Sequence, residues 1–262
     1  MTTLARPRTQ ESAHWYDPKT GLPCHTVKCS TKDGERPTNI TDAKKLGLVP
    51  SVTNVLSVLR KPALETWKQE QCCLSVLTAP RKPDEGLDDF VARVLHEERQ
   101  HEQEAKDAAD LGTRIHKALE DELSGRVADH EMLPWIEPVW EYLNKQGYLR
   151  TQCERILVGD GYAGRTDLIA EGHKYDVMLD FKSTKKPPKE PYWEHRLQLS
   201  AYHMAKIRNE PTSSRITVCG NIYISTTKPG DFVVHVHEDT HTCWLAFKHL
   251  LDYWQVANDY YP

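Results

Sequence analysis

Asp167 and Asp180 lie thirteen positions apart in a stretch rich in β-branched and apolar residues, and Lys182 follows two positions after Asp180. Residues two apart leave a strand on the same face, so Asp180 and Lys182 share one. Gly172 falls between the two acids, and a hairpin folded there brings Asp167 and Asp180 close enough to share a cation. Two carboxylates and an ammonium in otherwise apolar strands are costly to bury unpaired, and a divalent ion offsets that cost. Carboxylate oxygens with open water positions suit Mg²⁺ or Mn²⁺. Such an ion polarises a phosphate and activates a bound water. Lys182 can then orient that water, or deprotonate it if the site depresses its own pKa. The plainer reading is a surface ion pair on an edge strand, worth under about 1 kcal/mol; the apolar run Val177-Met178-Leu179 before Asp180 argues for burial instead.

The elements that must position these groups follow from pattern and breaks. Strands are expected over 152–158, 162–171 and 174–183, separated by Gly159-Asp160-Gly161 and Glu171-Gly172-His173, as an antiparallel meander. A helix over Tyr192–Arg208, strands over Ile216–Ser225 and Phe232–His237, and a last helix over Trp244–Asp259 capped by Asp239 or Thr240 complete that half. Upstream, Ser51 or Thr53 caps a helix beginning Pro50-Ser51-Val52-Thr53, and a short helix spans Ala63–Leu74. Leu87–Leu123 is charged and helical, with apolar stripes Phe90, Val91, Val94, Leu95 and Leu111, Ile115, Ala118, Leu119. Leu133–Gln146 is amphipathic, with Trp140 and Leu143 inward. The order gives an α/β fold with a mixed sheet. Residues 1–49 read as a loop-rich arm with a hairpin of His14–Tyr16 and Thr26–Lys28. Residues 50–262 read as a single domain, helical over 50–124 with a catalytic core over 150–262.

With 262 residues, 39% hydrophobic and 27% charged, the chain can build a packed core. A net charge of −4 does not advertise nucleic-acid binding, but basic groups need line only one groove. No apolar run reaches the roughly 20 residues that cross a bilayer. The first residues lack the apolar segment of a secretory signal, so a cytoplasmic, non-secreted protein without a membrane partner is expected. Seven cysteines without a C-x-x-C pair argue against a disulfide framework or structural zinc.

Gly164-Arg165-Thr166-Asp167 followed by Asp180-Phe181-Lys182 resembles the motif of the PD-(D/E)XK nuclease superfamily. Gly112 to His116 is similar to the G-x-x-x-H helix of its RecB-like members, and Gln198 to Tyr202 to their Q-x-x-x-Y helix. The four blocks occur in the family's order. Pro50 to Leu56, followed by Leu64-Glu65-Thr66-Trp67-Lys68, is similar to the mitochondrial genome maintenance exonucleases and their phage relatives. The resemblance spans 50–256.

It implies a restriction-endonuclease-like core: a central mixed sheet flanked by helices, with an N-terminal helical extension arching over the site. Asp167 and Asp180 would bind the metal, with His116 a further ligand and the Phe181 carbonyl completing the shell. Lys182 would position the nucleophilic water. Gln198 and Tyr202, one helical turn apart, would hold the lysine, a metal-bound water or the scissile phosphate. Glu154 matches a frequent acidic position. Cys219 and Cys243 do not supply the late cysteine triplet of iron–sulfur relatives, and the chain has no Walker motif, so neither cluster nor nucleotide is expected.

Around this set, Arg165, Ser183, Lys185, Lys186 and Arg196 could contact phosphates, as a clamp or simply as a basic loop. Trp67, Lys68, Tyr192 and Trp193 could stack on unpaired bases or belong to the core. His235 and His237 share a strand face without an evident third partner. Asp176 competes with Asp180 as the second acid but lacks the following lysine. The expected activity is exonucleolytic cleavage of DNA, at single-stranded or duplex ends, in replication, recombination or repair within a bacterial or phage-infected cell. A recombinase, single-strand-binding protein or helicase would be a separate partner. The rivals are an endonuclease or nickase with the same site, an inactive DNA-binding subunit, and a metal hydrolase acting on another substrate.

Overall fold

The computed structural model describes residues 14–28, 34–59, 66, 70, 73–83, 85–148, 150–211, 213 and 215–262, the side chains of 95–109 and 150 excepted. They divide into two compact units, one of residues 1–58 with 115–262 and one of 59–114. The described residues among 14–58 group with the sheet.

The first unit is built on five strands, β5 (Arg150–Val158), β6 (Ala163–Glu171), β7 (Asp176–Thr184), β8 (Thr217–Ser225) and β9 (Phe232–His237), in the order β5-β6-β7-β8-β9. β5, β6 and β7 form the expected antiparallel meander, β7 and β8 are parallel, and β9 returns antiparallel. A parallel pair needs a crossover; helix α5 (Trp193–Asn209) supplies it. The inner strands β7 and β8 are buried over most of their length, which explains their continuous apolar runs. This is a mixed α/β architecture with a central sheet flanked by helices.

Among the described residues, the amino-terminal segment contains four short strands, β1 (Trp15–Tyr16), β2 (Thr26–Lys28), β3 (Glu35–Pro37) and β4 (Val49–Pro50). The expected hairpin between the first two does not form. β1 pairs with β4, and β2 with β3. Helix α1 (Ile40–Leu46) lies between, closed at its start by a reciprocal cap of Asn39 and Asp42. Trp15 is fully buried; its ring lies 6.0 Å from Trp254, and its indole N–H donates to the Thr38 carbonyl at 3.1 Å. The Tyr260 hydroxyl ties down the Ala43 and Leu48 carbonyls at 3.0 and 2.6 Å. These residues pack into the sheet unit because Trp254 and Tyr260, in sequence at the other end, offer them an apolar surface.

Helix α2 (Val52–Leu56) starts at Ser51, whose hydroxyl accepts the Asn54 amide at 3.0 Å, so Ser51 rather than Thr53 is the cap. Helix α3 runs Leu87–Leu123, α4 Leu133–Lys145 and α6 Thr240–Asn258, the last capped by Asp239. Leu143 is buried as expected, but Trp140 is 37% exposed and does not face inward. In the second unit, Val94 is buried while Val91 is 45% exposed, and Arg93 pairs with Glu85 at 2.8 Å beside the Phe90 ring. Most of the helix expected over Ala63–Leu74 lies outside the described residues.

Candidate active site

The ladder between β6 and β7 runs from Glu171↔Asp176 to Leu168↔Leu179 and stops. One further step in that register sets Asp167 opposite Asp180. In place of a ladder bond there, the Phe181 amide donates to Asp167 Oδ2 at 2.7 Å. The neighbouring ladder lapses at the same level: Cys153↔Leu168 and Arg155↔Thr166 pair, while Glu154, between them, has φ +54°. A non-glycine residue in that region is an irregularity that re-aims the strand. On the other side, Asp180 is in register with Asn221, and Asn221 with His235. One row of polar residues, Glu154, Asp167, Asp180, Asn221 and His235, therefore crosses all five strands.

Asp180 is 2% exposed. Its Oδ2 receives Lys182 Nζ at 2.9 Å and Asn221 Nδ2 at 2.8 Å. Lys182 Nζ also donates to Gln198 Oε1 at 3.0 Å, and Gln198 Nε2 donates to the Tyr202 hydroxyl at 2.9 Å. Gln198 and Tyr202 reach the sheet together because they are four apart on α5. Gly164 makes room for them: a Cβ at that position would stand 2.3 Å from Tyr202 Cε1. The sequence block Gly164 to Asp167 is thus two devices, a bare backbone under the tyrosine and a carboxylate three residues on.

The electrostatics follow from crowding. Burial, then the nearby Asp180 carboxylate, push the Asp167 carboxyl up to about 8, against the opposing pull of Lys182 and the Phe181 amide. Burial tends to lower the Lys182 pKa, but Asp180 and then Asp167 outweigh it and hold the ammonium above its ordinary value. In the chain alone the two carboxylates thus keep Lys182 charged rather than depressing its pKa. Burial lowers the His116 pKa; Asp180 opposes it and Lys182 adds to it.

His116 Nδ1 stands 3.9 Å from Asp167 Oδ2, and its ring meets Phe181 edge-on. His116, Asp167, Asp180, Phe181, Lys182, Gln198 and Tyr202 therefore come together. Arg165 turns instead to Glu154 at 2.6 Å. Ser183 is half-buried on β7, and Lys185 and Lys186 are exposed on the following loop. The Arg196 guanidinium lies over the Trp193 ring at 5.3 Å. Trp193 and Tyr192 are 46% and 48% exposed, so they are not core. Trp67 and Lys68 lie outside the described residues. Asp176 forms ion pairs with Arg215 and Lys206 at the other end of β7.

Among the described residues no cluster of three or more His, Cys, Asp or Glu side chains has metal-binding geometry. The site nonetheless fits a hard divalent ion in its chemistry. Two neighbouring carboxylates, one pushed toward its protonated form by burial and by the other, lack a full complement of positive charge. Asp167 and Asp180 would hold the ion, with His116 and the Phe181 carbonyl as further donors. Asn221 and His237, which complete the surroundings of Asp180, were not singled out as site residues. Their signal was an asparagine inside the apolar run Cys219-Gly220-Asn221-Ile222-Tyr223, a buried polar group that demands a partner.

No family profile matches the sequence, and no curated protein does. A solved structure titled "Crystal structure of SSO0001" aligns over 55% of this chain and 74% of its own, at 17% identity and a TM-score of 0.29. That overlap is too slight to inform fold or activity.

Proposed function

We propose that this protein is a divalent-metal-dependent deoxyribonuclease of the PD-(D/E)XK type with a restriction-endonuclease-like core, acting as an exonuclease on single-stranded DNA ends. The observation that carries the reading is the set Asp167–Asp180–Lys182 at one break in the sheet, with Lys182 bridging Asp180 and Gln198 at 2.9 and 3.0 Å. The resemblance of these residues and of the Gln198–Tyr202 pair to RecB-like nucleases supports the same activity.

Mg²⁺ or Mn²⁺ held by Asp167 and Asp180 would polarise the scissile phosphate and lower the pKa of a bound water. Lys182, bonded to Asp180 and Gln198, presents a cation to the developing charge on the phosphate or orients the bound water. Gln198 holds that ammonium in place, and Tyr202 fixes Gln198. The exposed Lys185 and Lys186 offer phosphate contacts beside the site.

The test is a digestion assay with Mg²⁺ or Mn²⁺ on linear single strands, duplexes and circular single strands labelled at either end, with Lys182→Ala and Asp180→Ala as controls. Metal-dependent degradation of linear single strands, lost in both variants, is expected. Cleavage of circles would replace the exonuclease reading with an endonuclease. Absence of cleavage of any nucleic acid by the parent chain would overturn the proposal.

A further inference from the structure

Two polar side chains sit where the sheet otherwise buries apolar ones. Asn221 is fully buried and His237 is 7% exposed. Asn221 Nδ2 donates to Asp180 Oδ2 at 2.8 Å and lies 3.3 Å from the Asp180 carbonyl oxygen. Its Oδ1 lies 2.8 Å from His237 Nε2. The chemistry fixes each orientation. Flipping the amide would set its oxygen against a carboxylate, acceptor to acceptor, so the NH₂ faces Asp180. The amide oxygen can then only accept, so the His237 proton is on Nε2. His237 Nδ1 is left bare, and it is buried with no hydrogen-bond partner among the described residues.

A buried acceptor without a partner is a standing cost, and an apolar residue at 237 would avoid it. The arrangement makes sense if it does something for Asp180. A carboxylate with Lys182 alone beside it could still turn about its terminal bond, because the lysine sits within 3.1 Å of Oδ1 and 2.9 Å of Oδ2. The Asn221 amide breaks that symmetry by binding Oδ2, and His237 keeps the amide from turning.

We propose that Asn221 and His237 are positioning residues that set the carboxylate plane of Asp180 for a divalent cation shared with Asp167. This rests on the metal-binding reading of those two acids. Outer partners of metal-binding groups act in this way, by orienting the group that touches the ion.

The experiment measures Mn²⁺ binding to the full chain without nucleic acid, by the electron paramagnetic resonance of free Mn²⁺, with thermal unfolding of each variant alongside. His237→Phe keeps a ring but loses the donor, and Asn221→Leu keeps the size but loses both polar groups. Each is expected to raise the Kd for Mn²⁺ at least about tenfold, and His237→Gln, whose amide can donate again, to return it to within about threefold of the parent. Unchanged Mn²⁺ affinity in folded His237→Phe or Asn221→Leu overturns the proposal. So does a loss that His237→Gln fails to reverse, since that assigns the effect to packing. If the parent chain binds no Mn²⁺, the metal-dependent nuclease reading falls together with this one; normal binding in the variants removes this one alone.

Discussion

Phe181 gives its backbone N–H to the carboxylate of Asp167, at 2.7 Å, at the point where the β6–β7 ladder ends. The strands part there, and a side chain takes the place of a main-chain acceptor. The bond favours the ionised acid, yet burial and Asp180 override it and the carboxyl rises to about 8. The folded chain therefore holds a proton that the unfolded chain releases.

That proton ties stability to pH. Asp167 has an ordinary 3.8 when unfolded, and burial with Asp180 beside it pushes the carboxyl well above that, up to about 8, in the folded chain. Between those values the native state binds more protons, so stability falls as pH rises through the window and levels off above it. The slope is at most about 1.4 kcal/mol per pH unit. Denaturant unfolding in chelator at the two ends of the window should show the fall. Asp167→Asn should flatten it, and Mg²⁺ should recover stability at the alkaline end in the parent but not in the variant. A parent chain equally stable at both ends without metal would contradict the assignment.

Tyr202→Phe isolates the support of the lysine. The hydroxyl is the acceptor for Gln198 Nε2 at 2.9 Å, and Gln198 is 7% exposed. Removing it leaves a buried donor unmet, at about 1–3 kcal/mol of stability. It also frees Gln198 to swing away from Lys182. For the proposed nuclease activity, the expected outcome on a DNA substrate is a fall in kcat of about tenfold with little change in KM, because the hydroxyl is bonded to Gln198, which holds Lys182. A rise in KM with kcat unchanged would instead place Tyr202 against the substrate.

Gly164→Ala tests the geometry from the opposite side. Its Cβ would fall 2.3 Å from Tyr202 Cε1, with the ring held in a fully packed helix–sheet contact. Overpacking of this kind costs about 1–3 kcal/mol. The ring must shift, and the Gln198 bond goes with it, so activity should drop as in Tyr202→Phe. Adding Tyr202→Leu to Gly164→Ala should regain stability but not activity, as read by unfolding and by turnover.

The difference between what the sequence disclosed and what it hid is physical. Strands β5 to β9 were legible because alternation, apolar runs and glycine breaks are local signals, and Asp180 and Lys182 had to share a face once their strand was recognised. The Asp167–Asp180 neighbourhood followed from the turn near Gly172. Asn221 and His237 were hidden because their meaning depends on which strands lie side by side, and a parallel neighbour such as β8 leaves no turn in the sequence to reveal it. The pairing of β1 with β4 was hidden for the same reason: Trp15–Tyr16 and Val49–Pro50 are thirty-odd residues apart, and nothing between them marks the partner. The direction of the Lys182 shift depends on a contest between burial and two carboxylates, which only distances decide.

The amino-terminal segment carries the last prediction. Expected as a loop-rich arm, the segment has described residues packed into the sheet unit. Trp15 is fully buried against Trp254, its indole donates to the Thr38 carbonyl at 3.1 Å, and β1 pairs with β4 immediately before the Ser51 cap of α2. Ser51 in turn bridges to Ala163, the first residue of β6, the strand that carries Asp167. Trp15→Ala should cost about 3–5 kcal/mol, the usual range for losing a buried tryptophan. Because Ser51, the cap of α2, bridges to β6, the variant should also lose the proposed nuclease activity under conditions where the parent is folded and active. Urea unfolding followed by circular dichroism, with turnover measured at a urea concentration that leaves both proteins folded, separates the two effects. A Trp15→Ala chain with unchanged midpoint and turnover would return the segment to the status of an arm.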